Sequence, residues 1–295
     1  MGALAYDQIA TTATVFPPPP AALRNSKLDQ LQEQLGGCGG NLTYNLAQLG
    51  QTPLLVAAYG GTDGANYLAH LQAQGASQSG LLTCPGRCAR AIIIADPNGD
   101  QFTGFYPGHV PTTDAWLAHL KSLTTQIAAD ATLLLAPYPA EMMLTTAQWA
   151  SAHGLRLIWN PGQYADQLAA RDIDAIATLS DWVIGNQHEI TALAKLAPIH
   201  ATCHTVQTGG AAPIEVRLAG RADLTTYPVP TVAAVDPTGC GDAFLAAFAS
   251  QMQSRGWTTN SQQLQHAVQY GIHSASACLR CSGAQQHQLP TDQQP

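Results

Sequence analysis

The sequence predicts an α/β protein with a mainly parallel sheet covered by helices on both faces. Three observations carry this. Short apolar runs alternate with amphipathic stretches in β-α-β-α order through the middle of the chain. Glycines stand where amphipathic stretches stop, as at Gly50, Gly75 and Gly154. The chain has 295 residues, 46% of them hydrophobic, which is enough to bury a sizeable core.

The elements follow in order. Ala3-Leu4-Ala5-Tyr6 is a short apolar strand that ends at Asp7. Gly36-Gly37-Cys38-Gly39-Gly40-Asn41 runs into a helix over Leu42–Leu49. Leu54–Ala58 reads as a strand and Ala65–Gln74 as a helix. Ala91–Ala95 turns through Pro97-Asn98-Gly99 into Gln101–Tyr106, a hairpin. Helices at Thr113–Leu123 and Ala140–His153 alternate with strands at Thr132–Ala136 and Leu155–Trp159. Strand Trp182–Gly185, helix Gln187–Leu196 and strand His204–Gln207 continue the pattern, with a hairpin around Arg217–Leu224. Helices over Gly241–Gln253 and Ser261–Cys281 precede a Gln-rich tail, Gln285–Pro295, expected to fray.

Composition narrows the function. The net charge is −7 and the pI near 5.7, so no basic face for nucleic acid is expected. No run of 18 apolar residues predicts a membrane span. The first residues lack the basic and apolar regions of a signal peptide. Seven scattered cysteines suit reduced thiols and a cytoplasmic location better than a disulfide framework. Cys84-x3-Cys88 and Cys278-x2-Cys281 have metal-ligand spacing, but the second pair lies on an amphipathic helix without a knuckle glycine.

Four segments carry chemistry. In Asp236-Pro237-Thr238-Gly239-Cys240-Gly241-Asp242 an apolar strand passes through small residues into an apolar helix. Backbone N–H groups at such a helix start favour an anion, and Asp242 stands beside them as a proton acceptor. The same spacing also describes an acidic helix cap after a glycine turn. Asn41, behind its glycine cluster, offers a donor and an acceptor to neutral hydroxyls, although a tight packing turn has the same sequence. Asp7 at a strand end suits a vicinal diol, or is an ordinary loop carboxylate. In Asn186-Gln187-His188-Glu189, Glu189 can orient water around Mg²⁺, and the segment equally fits a helix N-cap.

Taken together and in this order, the segments resemble the ribokinase-like family of carbohydrate and nucleoside kinases over nearly the whole chain. Gly36–Gly50 looks like the first family signature and Asp236–Phe244 like the second. Asn186–Glu189 looks like the Asn-x-x-Glu motif, and Thr208-Gly209-Gly210 like the start of the nucleotide loop. The resemblance implies a three-layer α/β/α sandwich forming a single domain over 1–295, with a small β lid built from about 10–35 and 88–108. It implies Asp242 as catalytic base and Gly239, Cys240 and Gly241 as the anion hole. Asp7, Gly37 and Asn41 would bind substrate hydroxyls. Asn186, Thr208 and Gly210 would face ATP, Glu189 would serve Mg²⁺ through water, and Asp236 and Thr238 occupy the segment where the family often uses K⁺.

Ala-Tyr-Asp at 5–7, Gly-Gly-Cys at 36–38, Tyr106-Pro107-Gly108 and Asn160-Pro161-Gly162-Gln163 look closest to prokaryotic nucleoside kinases, adenosine-kinase-like or of broad specificity. The expected activity is ATP- and Mg²⁺-dependent phosphorylation of a nucleoside by a monomer or homodimer. A sugar kinase of the same family and a non-catalytic binding relative are the alternatives. Phe105 and Tyr106 are candidates to stack on a base. Three departures stand out: a short first strand, a compressed stretch between Asp7 and Gly36 carrying Pro17–Pro20, and Pro213 where the second nucleotide-loop glycine belongs. Proline fixes φ and removes an N–H, so the last should weaken or reshape that loop.

Overall fold

The computed structural model describes residues 1–16, 25–98, 100–257 and 259–289. Strands β1 (Ala5–Thr11) and β2 (Gln30–Gly36) lead to α1 (Cys38–Gln48). Then come β3 (Ala57–Gly60), α2 (Ala65–Ala73), β4 (Leu81–Cys84), β5 (Ala89–Ala95) and β6 (Gln101–Tyr106). The body continues with α3 (Thr113–Leu123), β7 (Thr132–Leu135), α4 (Ala140–Ala152), β8 (Arg156–Trp159), α5 (Ala170–Leu179) and β9 (Trp182–Asn186). It closes with α6 (Gln187–Leu196), α7 (Ile199–Thr202), β10 (His204–Gly209), β11 (Ala212–Arg217), β12 (Thr225–Tyr227), α8 (Cys240–Ser254) and α9 (Ser261–Leu279).

A six-stranded sheet in the order β12-β11-β10-β9-β8-β7 forms the centre. β7 to β10 are parallel, and β11 and β12 add an antiparallel edge. Its strands are apolar on both faces because helices cover both. Leu157, Trp159 and Val183 pack with Trp116, Met143 and Ile173 of α3 to α5. Ile158, Trp182 and Ile184, next to them in sequence, pack instead with Phe244, Phe248 and Val268 of α8 and α9. Side chains alternate across a strand, so consecutive apolar residues feed two separate cores. The result is the expected three layers.

A second, four-stranded sheet, β2-β1-β5-β6, stands apart from it. β1 runs parallel to β5, and the two outer pairs are antiparallel. Arg90 on β5 ties this sheet down: it pairs with Glu33 at 2.9 Å and with Asp63 after β3, and its guanidinium lies 5.0 Å from the Tyr6 ring centre. Met1–Leu4 links the layers, with Gly2 N–H donating to the Val56 carbonyl and Ala136 N–H to that of Met1. Met1 lines a cavity of about 380 Å³ together with Leu54, Val56 and Leu134.

Several expectations are corrected. The strand expected at Leu54–Ala58 is Ala57–Gly60, and Leu54 makes only an isolated bridge to Ser77. Asp7 does not end a strand; it lies inside β1, opposite Gln34 and Ala91. The helix after the glycine cluster begins at Cys38 rather than Leu42, because Gly39 and Gly40 fit its first turn. β2 was not expected at all: its residues alternate but are mostly polar and exposed, as suits a sheet edge. The nucleotide-loop segment forms a β-hairpin, β10–β11, turning at Gly210 (φ 62°). Pro213 lies within β11, opposite the register shift between Gln207 and Gly209, where its missing N–H interrupts no regular pairing. The tail does not fray at its start: Gln285 and His287 are 3% and 1% exposed. Pro17–Pro20, Gly99 of the first hairpin turn and the tail from Pro290 onward lie outside the described residues. No helix among the described residues is long and apolar enough to cross a membrane.

Candidate active site

The start of α8 is shaped by small residues. Gly239 adopts φ 78°, which side chains disfavour, and a Cβ there would come within 2.4 Å of the Ala284 Cβ. The loop before it is held by Asp236, whose Oδ1 accepts from Thr238 N–H and Oδ2 from Gly283 N–H, both at 2.9 Å. Burial alone would raise the Asp236 pKa, but these bonds outweigh it and hold the group below the usual carboxylate range. The Cys240 N–H bonds to the Pro237 carbonyl at 3.2 Å, so that amide of the expected anion hole is already used. The next two amides, of Gly241 and Asp242, bond to no backbone carbonyl among the described residues, and the ladder of α8 begins with the Ala243 N–H on the Gly239 carbonyl at 2.9 Å. A Cβ on Gly241 would meet nothing within 4 Å, so the turn opens there onto free space.

Asp242 follows and is 8% exposed. Its Oδ2 accepts from Asn41 Nδ2 at 2.8 Å across the α1–α8 contact. Burial raises its pKa to about 7, with Glu189 and Asp7 adding to the rise while hydrogen bonds from Asn41 and the Cys38 thiol oppose it. Asp7 is pushed up to about 6 by burial and by Asp236. Its carboxylate lies over Gly36, where a Cβ would stand 2.0 Å from Oδ2. Gly37 (φ 81°) caps α1 against the Ala3–Ala5 backbone, too close for any side chain. These features place Asp7, Asn41 and Asp242 around one acidic recess.

A second group sits at the carboxyl ends of β9 and β10, where parallel α/β sheets bind ligands. Asn186 and Glu189 form a reciprocal capping box on α6: Asn186 Oδ1 accepts from Glu189 N–H at 2.9 Å, and Glu189 Oε2 accepts from Asn186 N–H at 2.9 Å. Burial raises the Glu189 pKa. Thr208 is in register with Asn186 on the neighbouring strand. Gly210, at the exposed tip of the hairpin, is not brought to the others.

The model of the pfkB family of carbohydrate kinases matches residues 1–292. The chain belongs to that family. It is therefore a phosphotransferase with a hydroxyl acceptor. A nucleoside kinase of Methanothermobacter thermautotrophicus is 23% identical over 242 residues, 79% of this chain and 75% of that one. The solved nucleoside kinase of Burkholderia thailandensis in complex with inosine matches with TM-score 0.82 at 20% identity, covering 99% of this chain and 94% of that one. Ribokinase of Thermotoga maritima matches with TM-score 0.80 at 20% identity, covering 99% and 95%. At this identity the structural likenesses establish the fold, which is that of ribokinase.

Sequence reasoning missed two residues that this pfkB-family kinase brings to the recess. Cys38, one residue past Gly37, is half-buried beside Asp242, and its desolvation pushes the thiol pKa up. Gln285 bonds to Asn41 from the far end of the chain. The signal for Cys38 was its place inside the glycine cluster. Gln285 gave none, since it opens a polar run whose burial comes entirely from tertiary contacts. The cysteine pairs form no metal centre: no group of three or more His, Cys, Asp or Glu that could hold an ion occurs among the described residues.

Proposed function

We propose that this kinase transfers the γ-phosphoryl group of ATP to the 5′-hydroxyl of a nucleoside, with Asp242 as general base. The observation that carries this reading is the buried Asp242 carboxylate with a pKa near neutrality, aimed by Asn41 at the open first turn of α8. The acceptor hydroxyl attacks the γ-phosphorus in line and gives its proton to Asp242. The bond to the β-phosphate oxygen breaks and ADP departs. The Gly241 and Asp242 amides face the phosphoryl oxygens as their charge spreads. Asp7 and Asn41 bind ribose hydroxyls, and Asn186 and Thr208 face the nucleotide.

The donor set fits Mg²⁺ as a water- and phosphate-bound ion. Each Glu189 oxygen accepts one bond from Asn186, which leaves a hard carboxylate with free lone pairs. Mg²⁺ bound there would neutralise charge on the transferring phosphates. The ionised Asp236 carboxylate, with Thr238 beside it, fits K⁺. The sheet β2-β1-β5-β6 serves as the lid over the recess.

Strand register bears on which ring would meet the acceptor's base. Asp7, Ala91 and Phe105 lie side by side across β1, β5 and β6, so Phe105 shares the Asp7 face. Tyr106 lies in the row of Tyr6 and Arg90 on the opposite face. This shared face and its exposure of 47% support Phe105 over Tyr106 as the ring that stacks on a base. The Burkholderia relative, bound to inosine, supports a nucleoside over a free sugar.

ADP release with MgATP and K⁺ tests the reading against adenosine, inosine, guanosine, cytidine, ribose and fructose. Nucleoside-dependent turnover is expected, and Asp242→Asn should lower kcat by about 10²- to 10⁴-fold while nucleoside Kd stays nearly unchanged. Turnover with free sugars alone would move the protein to the sugar-kinase branch. Wild-type turnover by the variant would end the role of Asp242.

A further inference from the structure

We infer that Gln285 is a positioning residue for phosphoryl transfer, holding the Asn41 carboxamide in the one orientation that donates to Asp242. The inference rests on the reading of Asp242 as the base.

A carboxamide has a donor end and an acceptor end, and rotating it by half a turn exchanges them. The Asn41 donor end meets the Asp242 carboxylate at 2.8 Å. Its acceptor end meets the Gln285 Nε2 group at 3.0 Å. Gln285 Nε2 has two protons, and the second goes to the Tyr67 hydroxyl oxygen at 2.7 Å. Tyr67 in turn donates to the Gly36 carbonyl at 2.5 Å. Every group in this row has one role left open to it, because the Gly36 carbonyl can only accept. The direction of each bond is thus fixed from Gly36 through to Asp242.

A flipped Asn41 would set its oxygen against the Asp242 carboxylate and its NH₂ against the Gln285 NH₂. With Gln285 in place the flip costs both bonds. Without it, only the Asp242 side resists, and that resistance vanishes once Asp242 takes a proton and becomes a donor. Gln285 thereby favours the ionised base over the protonated one.

The segment carrying Gln285 is held rigidly enough for this role. The Tyr44 hydroxyl donates to the His287 carbonyl, and His287 Nε2 donates to Asn45 Oδ1 at 2.9 Å. Burial lowers the His287 pKa to about 4, so the ring stays neutral near pH 7. Asn45 Nδ2 donates to the Asn41 carbonyl at 2.8 Å, so α1 is gripped on its backbone as well as its side chain. The ionisable groups bearing on Asp242 itself are Glu189, Asp7 and Cys38, with Tyr67, Cys240 and Cys278 also within its field. Those around Gln285 are Tyr67 and His70.

The test compares pH profiles of kcat/KM for wild type, Gln285→Met and Gln285→Glu. Methionine keeps length and loses the donor, and glutamate keeps shape and turns donor into acceptor. In both, the acid limb should move up by about one pH unit and kcat at pH 6.5 should fall about tenfold, with KM for ATP unchanged. The glutamate variant should show the larger shift. A folded variant whose acid limb stays in place overturns the inference, and so does failure of both variants to fold, which would leave Gln285 a structural residue. If Asp242→Asn retains turnover, the base assignment itself fails; if that variant is inactive and the Gln285 limb is unmoved, only the positioning role fails.

Discussion

At the scale of single residues, one carboxyl group sets stability and activity against each other. The Asp242 carboxyl has a pKa of about 7 when folded, against an ordinary value of 3.8. Between those values the native state binds more protons than the unfolded chain, so stability falls as pH rises through that window. Asp242→Asn removes the penalty. Its Tm should exceed that of wild type by a few degrees at pH 8 and match it near pH 4, as thermal unfolding at the two pH values would check. An equal gain at both would show that burial does not tax the ionised form. For the wild-type enzyme the same group predicts kcat/KM falling below about pH 7 with unit slope. The place of Asp242 in the first turn of an apolar helix was legible in the sequence, whereas its burial against Asn41 was not, since an acidic helix cap has the same spacing. Gln285 was illegible because its role depends on Asn41, 244 positions away.

At the scale of elements, the start of α8 divides its glycines between packing and access. Gly239 is needed by the backbone: its φ is positive and Ala284 occupies the space a side chain would take. Gly239→Ala should therefore lose about 1–2 kcal/mol of stability along with activity. Gly241 is different, because open space lies before it. Gly241→Ala should keep or slightly raise Tm through better helix propensity, yet raise KM for ATP. Unfolding curves and nucleotide titrations on the two variants would separate these roles, and a fall in Tm for Gly241→Ala would contradict this division. The helix itself was readable from its apolar run. The hairpin β10–β11 was not, since Thr208-Gly209-Gly210 suits a loop as well as a tight turn, and pairing with β9 decides between them.

At the scale of the molecule, a three-layer body and a small separate sheet meet at the recess. The body was legible because buried parallel strands are continuous apolar runs between amphipathic helices. One of the four strands of the small sheet was not: β2 is polar and exposed, and only pairing with β1 reveals it. Its inner face predicts an effect on acceptor binding alone. Phe105→Ala should raise nucleoside KM about tenfold, leave kcat within about twofold, and leave KM for ATP unchanged. Steady-state kinetics with either substrate varied would check this, and an unchanged nucleoside KM would remove Phe105 from the base pocket.

The bonds that complete the recess join distant parts of the chain. Asn41 meets Asp242 across 201 positions and Gln285 across 244. A ribosome delivers the chain from its first residue onward, so α1 and both sheets can form while the last segment is still inside the exit tunnel. The corner around Asp242 must wait for that segment. A nascent chain stalled before Gln285 emerges would hold nearly all of its architecture and still lack the bond from Gln285 to Asn41.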